Sequence, residues 1–391
     1  MFSKRLLLVL FLWLAGPALA APTHVYLTWQ DPDTSHTMTV IFQTRGRVAQ
    51  PQVRYGQRPD QLEQRQAATS YQWLSSSRRI HVATLRGLEP GQVYHFQAGD
   101  PTDGFCSKRK FKTLPSQGPV RFVTGGDMYF EPETVQLLEQ AARRSPMVAL
   151  VGGDIAYADG DLRRDGFWDR WLDNWEKNMV TPDGLTIPFI AAIGNHDVAG
   201  SFGQRKQKAP FYFGFLRQHA DSYFERSLGD QVTVFVLDSG HVSPHGGTQS
   251  QWLRQSLEKC RSPWKFALYH VPCYPSHRGY GDYYSEQGRS HWVPLFDRFG
   301  LTAAFENHDH TLKRTPPLKA NKIAKQGTVY LGDGCWGRPP RSVDPALRWY
   351  EATAASRAHV WMVDVGDDQV TYEAIGTAGQ TLDRYTTERA K

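Results

Sequence analysis

The chain has 391 residues, of which 40% are apolar and 21% charged, with a formal net charge of +6. Such a composition can bury a core and excludes a disordered or fibrous chain, and the length suits two domains better than one small one. The basic residues are scattered, with no Lys/Arg-rich run interleaved with aromatics, so nucleic-acid binding finds no support.

Residues 1–20 read as a signal peptide. Lys4 and Arg5 precede the apolar run Leu6–Leu14, which is too short to span a bilayer, and Ala18-Leu19-Ala20 supplies the small residues of a peptidase site. Cleavage after Ala20 is the expectation, giving a secreted or periplasmic chain with no integral membrane segment; an uncleaved anchor is the alternative. Cys106, Cys260, Cys273 and Cys335 form no CxxC pair, which argues against a zinc ribbon. An exported chain has room for one or two disulfides, whose pairing the spacing leaves open.

Residues 21–116 read as all-β. "TMTVIFQT", "PQVRYGQ", "RRIHVATLRGL", "QVYHFQAG" and "SKRKFKTL" are short runs rich in β-branched and aromatic residues, separated by Pro, Gly, Asp and Ser. This spacing predicts a sandwich of roughly seven strands. In "LEPGQVY", Leu88, Pro90, Gly91 and Tyr94 stand at a strand entrance in the manner of the tyrosine corner of fibronectin type III-like sandwiches.

"TLPSQGP" is a linker, and over residues 117–391 the pattern changes to an α/β layered domain. "VRFVTGGD", "MVALVGGD" and "IPFIAAIGNHD" are strands running into polar residues, separated by the helical patterns "PETVQLLEQAARR" and "FWDRWLDNWEKNM". "QVTVFVLDS", the helical "TQSQWLRQSLEK", "WKFALYH", "LTAAFENHDH" and "GTVYLGDG" follow, and "HVWMVDV" and "QVTYEAIG" alternate like closing antiparallel strands.

In open α/β sheets ligands gather beyond the carboxyl ends of the strands. Those ends carry Asp127, Asp154, Asn195, His270, His308 and His310, every one a metal-ligand type. Two cations about 3.5–4 Å apart can clamp a phosphate and its attacking oxygen. A shared carboxylate permits that approach, and oxygen and imidazole donors suit Fe, Mn and Zn.

Five blocks in order, "GDMY" (126–129), "GDIAY" (153–157), "GNHD" (194–197), "ALYH" (267–270) and "NHDH" (307–310), resemble those of the binuclear metallophosphoesterases. Tyr157 in the second block, together with the preceding sandwich, is similar to the purple acid phosphatase branch. The resemblance implies a β-sandwich domain (21–116) followed by a calcineurin-like metallophosphoesterase domain (117–391), itself a β-sandwich flanked by helices. It implies Asp127, Tyr157 and His310 as ligands of Fe(III), Asp154 as the bridge, and Asn195, His270 and His308 as ligands of a divalent metal (Zn, Mn or Fe). His196 would contact the phosphate and assist the leaving alcohol, Asp197 would orient a neighbour, and His277 is a second candidate for contacting the phosphate. A hydroxide activated by the two metals would attack a small phosphorylated substrate.

The chain departs from the family pattern at Tyr129 and Asn307, which replace motif glycines, and at Ala267, a strand core position. Left-handed backbone tolerance would make Asn307 benign, whereas Tyr129 would crowd the ferric side or line the cleft. His241, His245, Arg278 and Arg289 read as surface-loop residues, and Cys335 as structural. The leading expectation is a phosphomonoesterase; a phosphodiesterase on the same metals and a non-catalytic binding module are the alternatives. The sequence leaves the oligomeric state open.

Overall fold

The computed structural model describes residues 21–74 and 76–389, so the signal-peptide reading of residues 1–20 lies outside the described residues. No described helix is long and apolar enough to cross a membrane.

Period-two alternation organises the strands between His24 and Lys112. One antiparallel sheet orders His24–Thr28, Thr37–Arg45, Arg78–Arg86 and Thr69–Gln72; the other is built on Gln52–Gly56 and Val93–Asp100. Val25, Leu27, Val40 and Phe42 point between the sheets, together with Val53, Phe96 and Phe111. Their neighbours Tyr26, Ile41, Ile80 and Val82 point the other way and are also buried, so this sheet is apolar on both faces. The tyrosine corner is present: the Glu89 N–H donates to the Tyr94 hydroxyl at 2.9 Å.

The following residues form two central sheets with helices outside. The first sheet orders Phe189–Ala191, Val148–Val151, Val120–Gly125, His359–Val365, Gln369–Gly376 and Thr381–Glu388. The second orders Phe224–Leu228, Val232–Val236, Trp264–Leu268, Ala303–Phe305, Val329–Gly332, Leu312–Arg314 and Thr353–Ala355. Phe122, Val148, Leu150, Val234, Phe266 and Phe305 fill the space between the sheets, and the Phe122 ring lies edge-on to Phe266 and Phe305, 5.6 Å from each. Val123, Ala149 and Val151 face outward and are covered by α1 (Pro132–Ala142) and α2 (Asp165–Asn178). Phe235 and Ala267 are covered by α3 (Thr248–Lys259) and α5 (Val293–Phe299), with α4 (Tyr283–His291) packed against α5.

The last two helices have no counterpart among the predicted elements. Their signals are local: Asp282 caps α4 by accepting from the Tyr284 and Ser285 N–H groups, and α5 opens with Pro294 and ends at Gly300 with φ 65°. None of the four cysteines pairs; Cys273 and Cys335 are buried and Cys106 and Cys260 partly so. The room for a disulfide is therefore unused, and Cys106, Cys273 and Cys335 instead make weak hydrogen bonds through sulfur to the Ala98 N–H, the Tyr269 hydroxyl and the Arg338 carbonyl.

Helix α2 joins the two halves. Trp168, Trp171, Leu172 and Trp175 recur at helical spacing and are buried. Asp165, Asp169 and Glu176 instead meet cations of the N-terminal sandwich. Arg78 lies 2.6 Å from Asp169, Arg109 lies 2.6 Å from Glu176, and the His24 ring lies 3.0 Å from Asp169 and 3.3 Å from Glu176. Burial alone would lower the His24 pKa, but the two carboxylates override it and raise it to about 9. A His raised above its unfolded value near 6.5 stabilises fully below that pH and loses the contribution as pH rises through 9. The thermal midpoint of the wild type should therefore fall more between pH 7 and 9.5 than that of His24→Gln; parallel curves would show that the contact carries no linked proton.

Candidate active site

The donors all follow the carboxyl ends of central strands. Asp127 follows Val120–Gly125, Asp154 and Tyr157 follow Val148–Val151, Asn195 follows Phe189–Ala191, His270 follows Trp264–Leu268, and His308 and His310 follow Ala303–Phe305. The first two loops run side by side: the N–H groups of Asp127, Met128 and Tyr129 donate to the carbonyls of Gly153, Asp154 and Ile155 at 2.9–3.1 Å. Asp127, Tyr129, Asp154, Tyr157, His308 and His310 all have positive φ, a concentration of backbone strain at one place.

The side chains form two groups. In one, Asp127 Oδ1 lies 3.3 Å from the Tyr157 hydroxyl and 2.9 Å from His310 Nε2, which is 3.2 Å from that hydroxyl. In the other, His270 Nε2 lies 3.3 Å from Asp154 Oδ2, 3.0 Å from Asn195 Oδ1 and 3.1 Å from His308 Nδ1. Donor atoms about 2.0–2.2 Å from a shared cation stand about 3.0–3.5 Å apart, so these separations fit a metal. Two imidazole nitrogens facing each other at 3.1 Å need a proton or a cation between them. The Asp154, His270 and His308 donor atoms all lie within 4.8 Å of one another.

The electrostatics agree with the geometry. Burial would raise Asp154, but the imidazoles of His270, His196 and His308 hold it well below the usual carboxylate range. Burial would lower His270, but Asp154 and Asp127 raise it to about 9. Burial, then Asp127 and Asp154, push the Tyr157 phenol well above 10. Deprotonated Tyr157 and neutral His270 thus both call for positive charge in the pocket.

Supporting contacts set these groups. Asp197 accepts N–H bonds from Gly194, Asp154 and Ile155 at 2.8–3.1 Å and so fixes the backbone that carries Asp154. His196 donates its N–H to Asp154 Oδ1 at 2.7 Å, its ring stacks 4.4 Å from the Tyr157 ring, and its Nδ1 lies 2.6 Å from Asp159. Nothing in the spacing of "YADGD" marks Asp159; only the fold brings it to His196. His277 is exposed, its Nδ1 bonded to the Ser342 carbonyl, and no hydrogen bond joins it to the donor groups.

Several expectations are corrected. Asn307 does not have a positive φ; its side chain fills the space beside Gly126 and Gly152 and donates to the Tyr269 carbonyl at 2.8 Å. Tyr129 does adopt the left-handed conformation, φ 62°, and its ring stands edge-on to Tyr157 at 5.7 Å. His241 and His245 are buried, because Asp238 accepts the N–H groups of His241, Val242 and Ser243 and folds their loop inward. Arg289 is buried too, capping the Cys273 and Tyr280 carbonyls. Arg278 is half-buried and paired with Asp309.

Two layered sheets with polar donors converging at their carboxyl ends define a phosphoesterase of the calcineurin-like class. Residues 124–312 match the family model "Calcineurin-like phosphoesterase", and residues 22–113 match "Purple acid Phosphatase, N-terminal domain". Purple acid phosphatase 21 of Arabidopsis thaliana is 28% identical over 313 residues, 76% of this chain and 68% of that protein. Acid phosphatase type 7 of Mus musculus is 25% identical over 263 residues, 61% of this chain and 57% of that protein. The fold is similar to that of purple acid phosphatase PPD1 from yellow lupin (Lupinus luteus) seeds, with a TM-score of 0.81 at 18% identity, covering 95% of this chain and 75% of the other. Both domains of the chain thus match purple acid phosphatase-like metallophosphoesterases, and the chain is a phosphoric ester hydrolase that depends on metal.

The packing of Asn307 is directly testable. A methyl at position 152 would stand 1.9 Å from Asn307 Nδ2, and its three nearest neighbours all belong to that side chain. Gly152→Ala should cost about 1–3 kcal/mol and lower the thermal midpoint. Adding Asn307→Gly should restore most of the loss; a double variant no better than the single would show that the clash lies elsewhere.

Proposed function

We propose that this chain is an acid phosphatase-type phosphomonoesterase, and that Asp127, Tyr157 and His310 hold Fe(III) while Asn195, His270 and His308 hold a divalent metal (Zn, Mn or Fe), with Asp154 shared. The observation that carries the reading is the pair of donor groups, one of which contains a phenol beside a carboxylate and an imidazole. A bound metal pair would supply Lewis acidity to the phosphoryl oxygens and an activated water.

The chain's own residues do the rest. His196 is about 40% exposed, so its ring reaches the cleft while Asp159 fixes its Nδ1. Held in that way, Nε2 is aimed to hydrogen-bond a phosphoryl oxygen and to give a proton to the departing alcohol. Asp197 keeps the Asp154 loop and the His196 turn in register. The separation of residues 21–116 from 117–391, and export after removal of residues 1–20, complete the proposal.

Loading the site must displace the proton that Asp154 and Asp127 hold on His270. Zinc binding by the metal-free protein should therefore release protons, and its apparent affinity should weaken as pH falls below 9. Calorimetry in buffers of different ionisation heat reads the proton count directly. Asp154→Ala should abolish release of phosphate from a monoester by at least about a thousandfold while leaving the fold intact by circular dichroism. Retained hydrolysis in that variant would overturn the assignment.

A further inference from the structure

Arg338 stands apart among the cations around the site. Its guanidinium lies 4.7 Å from the centre of the Tyr157 ring and 5.1 Å from that of Tyr129. Its backbone N–H donates to the Asp127 carbonyl at 3.0 Å, which ties it to the loop carrying that carboxylate. Its Nε is buried and has no hydrogen-bond acceptor. Arg164 and Arg278 nearby are committed to Asp159 and Asp309. Among the described residues Arg338 has no carboxylate within ion-pair distance. Arg341, three residues on, is likewise unpaired and donates to the His308 carbonyl at 3.3 Å.

A half-buried guanidinium with an unsatisfied N–H is costly unless an acceptor arrives. The Tyr157 ring that carries Arg338 also carries His196, at 4.4 Å. The cation and the imidazole therefore flank the same side chain, beside a pocket whose substrate is an anion. Tyr129, which stands in place of a motif glycine, gives the guanidinium a second aromatic support, so the arrangement depends on a residue that departs from the family pattern.

We propose that Arg338 is a substrate-binding residue that selects doubly charged phosphate esters over singly charged ones. Near neutral pH a phosphomonoester carries close to two negative charges and a diester one. A guanidinium left without a carboxylate partner favours the former through charge and through its fork of N–H donors. The proposal rests on the phosphomonoesterase reading above.

The test compares Arg338→Met and Arg338→Lys with the wild type on an aryl phosphate monoester and on the matching methyl aryl diester. Inhibition by inorganic phosphate and its effect on the thermal midpoint are measured in parallel. Arg338→Met should lower kcat/KM for the monoester about tenfold or more, change the diester less than about threefold, and weaken phosphate inhibition in step with the monoester. Arg338→Lys should recover part of the loss. Equal falls for both esters with phosphate inhibition unchanged would overturn the proposal and leave Arg338 as packing for the two tyrosines. A wild type inactive on both esters would sink the phosphomonoesterase reading. In that case a phosphate-induced thermal shift lost in Arg338→Met would still support an anion site at Arg338, and a shift identical in the two would overturn it.

Discussion

Two buried carboxylates facing one space set the terms for the rest of this molecule. The backbone ladder between residues 127–129 and 153–155 holds Asp127 and Asp154 side by side, and neither is exposed to water by more than 1%. Burying one charge without compensation is costly, and burying two together is worse. The surroundings answer with positive charge or its precursors: His270, His308 and His310 converge on them from the second sheet, and His196 from the first. The residual demand is for cations, and that demand makes the pocket a metal site.

The scaffold explains how such a pocket persists. Each donor hangs from a short loop anchored by a strand that is buried on both faces, so the loops inherit the rigidity of the sheets. The positive φ angles at six site residues are local strain, offset by that packing. Glycines 126 and 152 leave room for Asn307 to plug the floor. The sandwich contributes at a distance: through Tyr26, Trp73 and the ion pairs to α2 it covers one flank of the first sheet, and it supplies none of the donors.

Much of this was legible in the amino-acid sequence, for identifiable reasons. The strands of the central sheets are buried runs with abrupt polar ends, and five blocks in order bring the candidate donors to those ends. The three helices with clear apolar spacing, α1 to α3, were likewise readable. Helices α4 and α5 were not, because α4 is weakly apolar and begins in a loop rich in Tyr and Gly, and α5 is only seven residues long. The inward fold of His241 and His245 depends on Asp238 accepting three backbone N–H groups, which no periodicity reveals. The role of Asn307 was misjudged in mechanism: the relevant quantity was side-chain volume between two glycines, not backbone angle. Asp159 and Arg338 reach the site only through tertiary contact, one through the His196 ring and the other through the faces of Tyr157 and Tyr129.

The most direct measurement is the visible absorption spectrum of the purified protein, with metal analysis, alongside Tyr157→Phe. A tyrosinate bound to Fe(III) predicts a broad visible band, about two metals per chain with iron among them, and loss of the band in Tyr157→Phe. A wild type that binds iron without such a band, or a band that survives the substitution, would contradict the assignment of Tyr157. A protein that takes up no metal at all would contradict the account of the site as a whole.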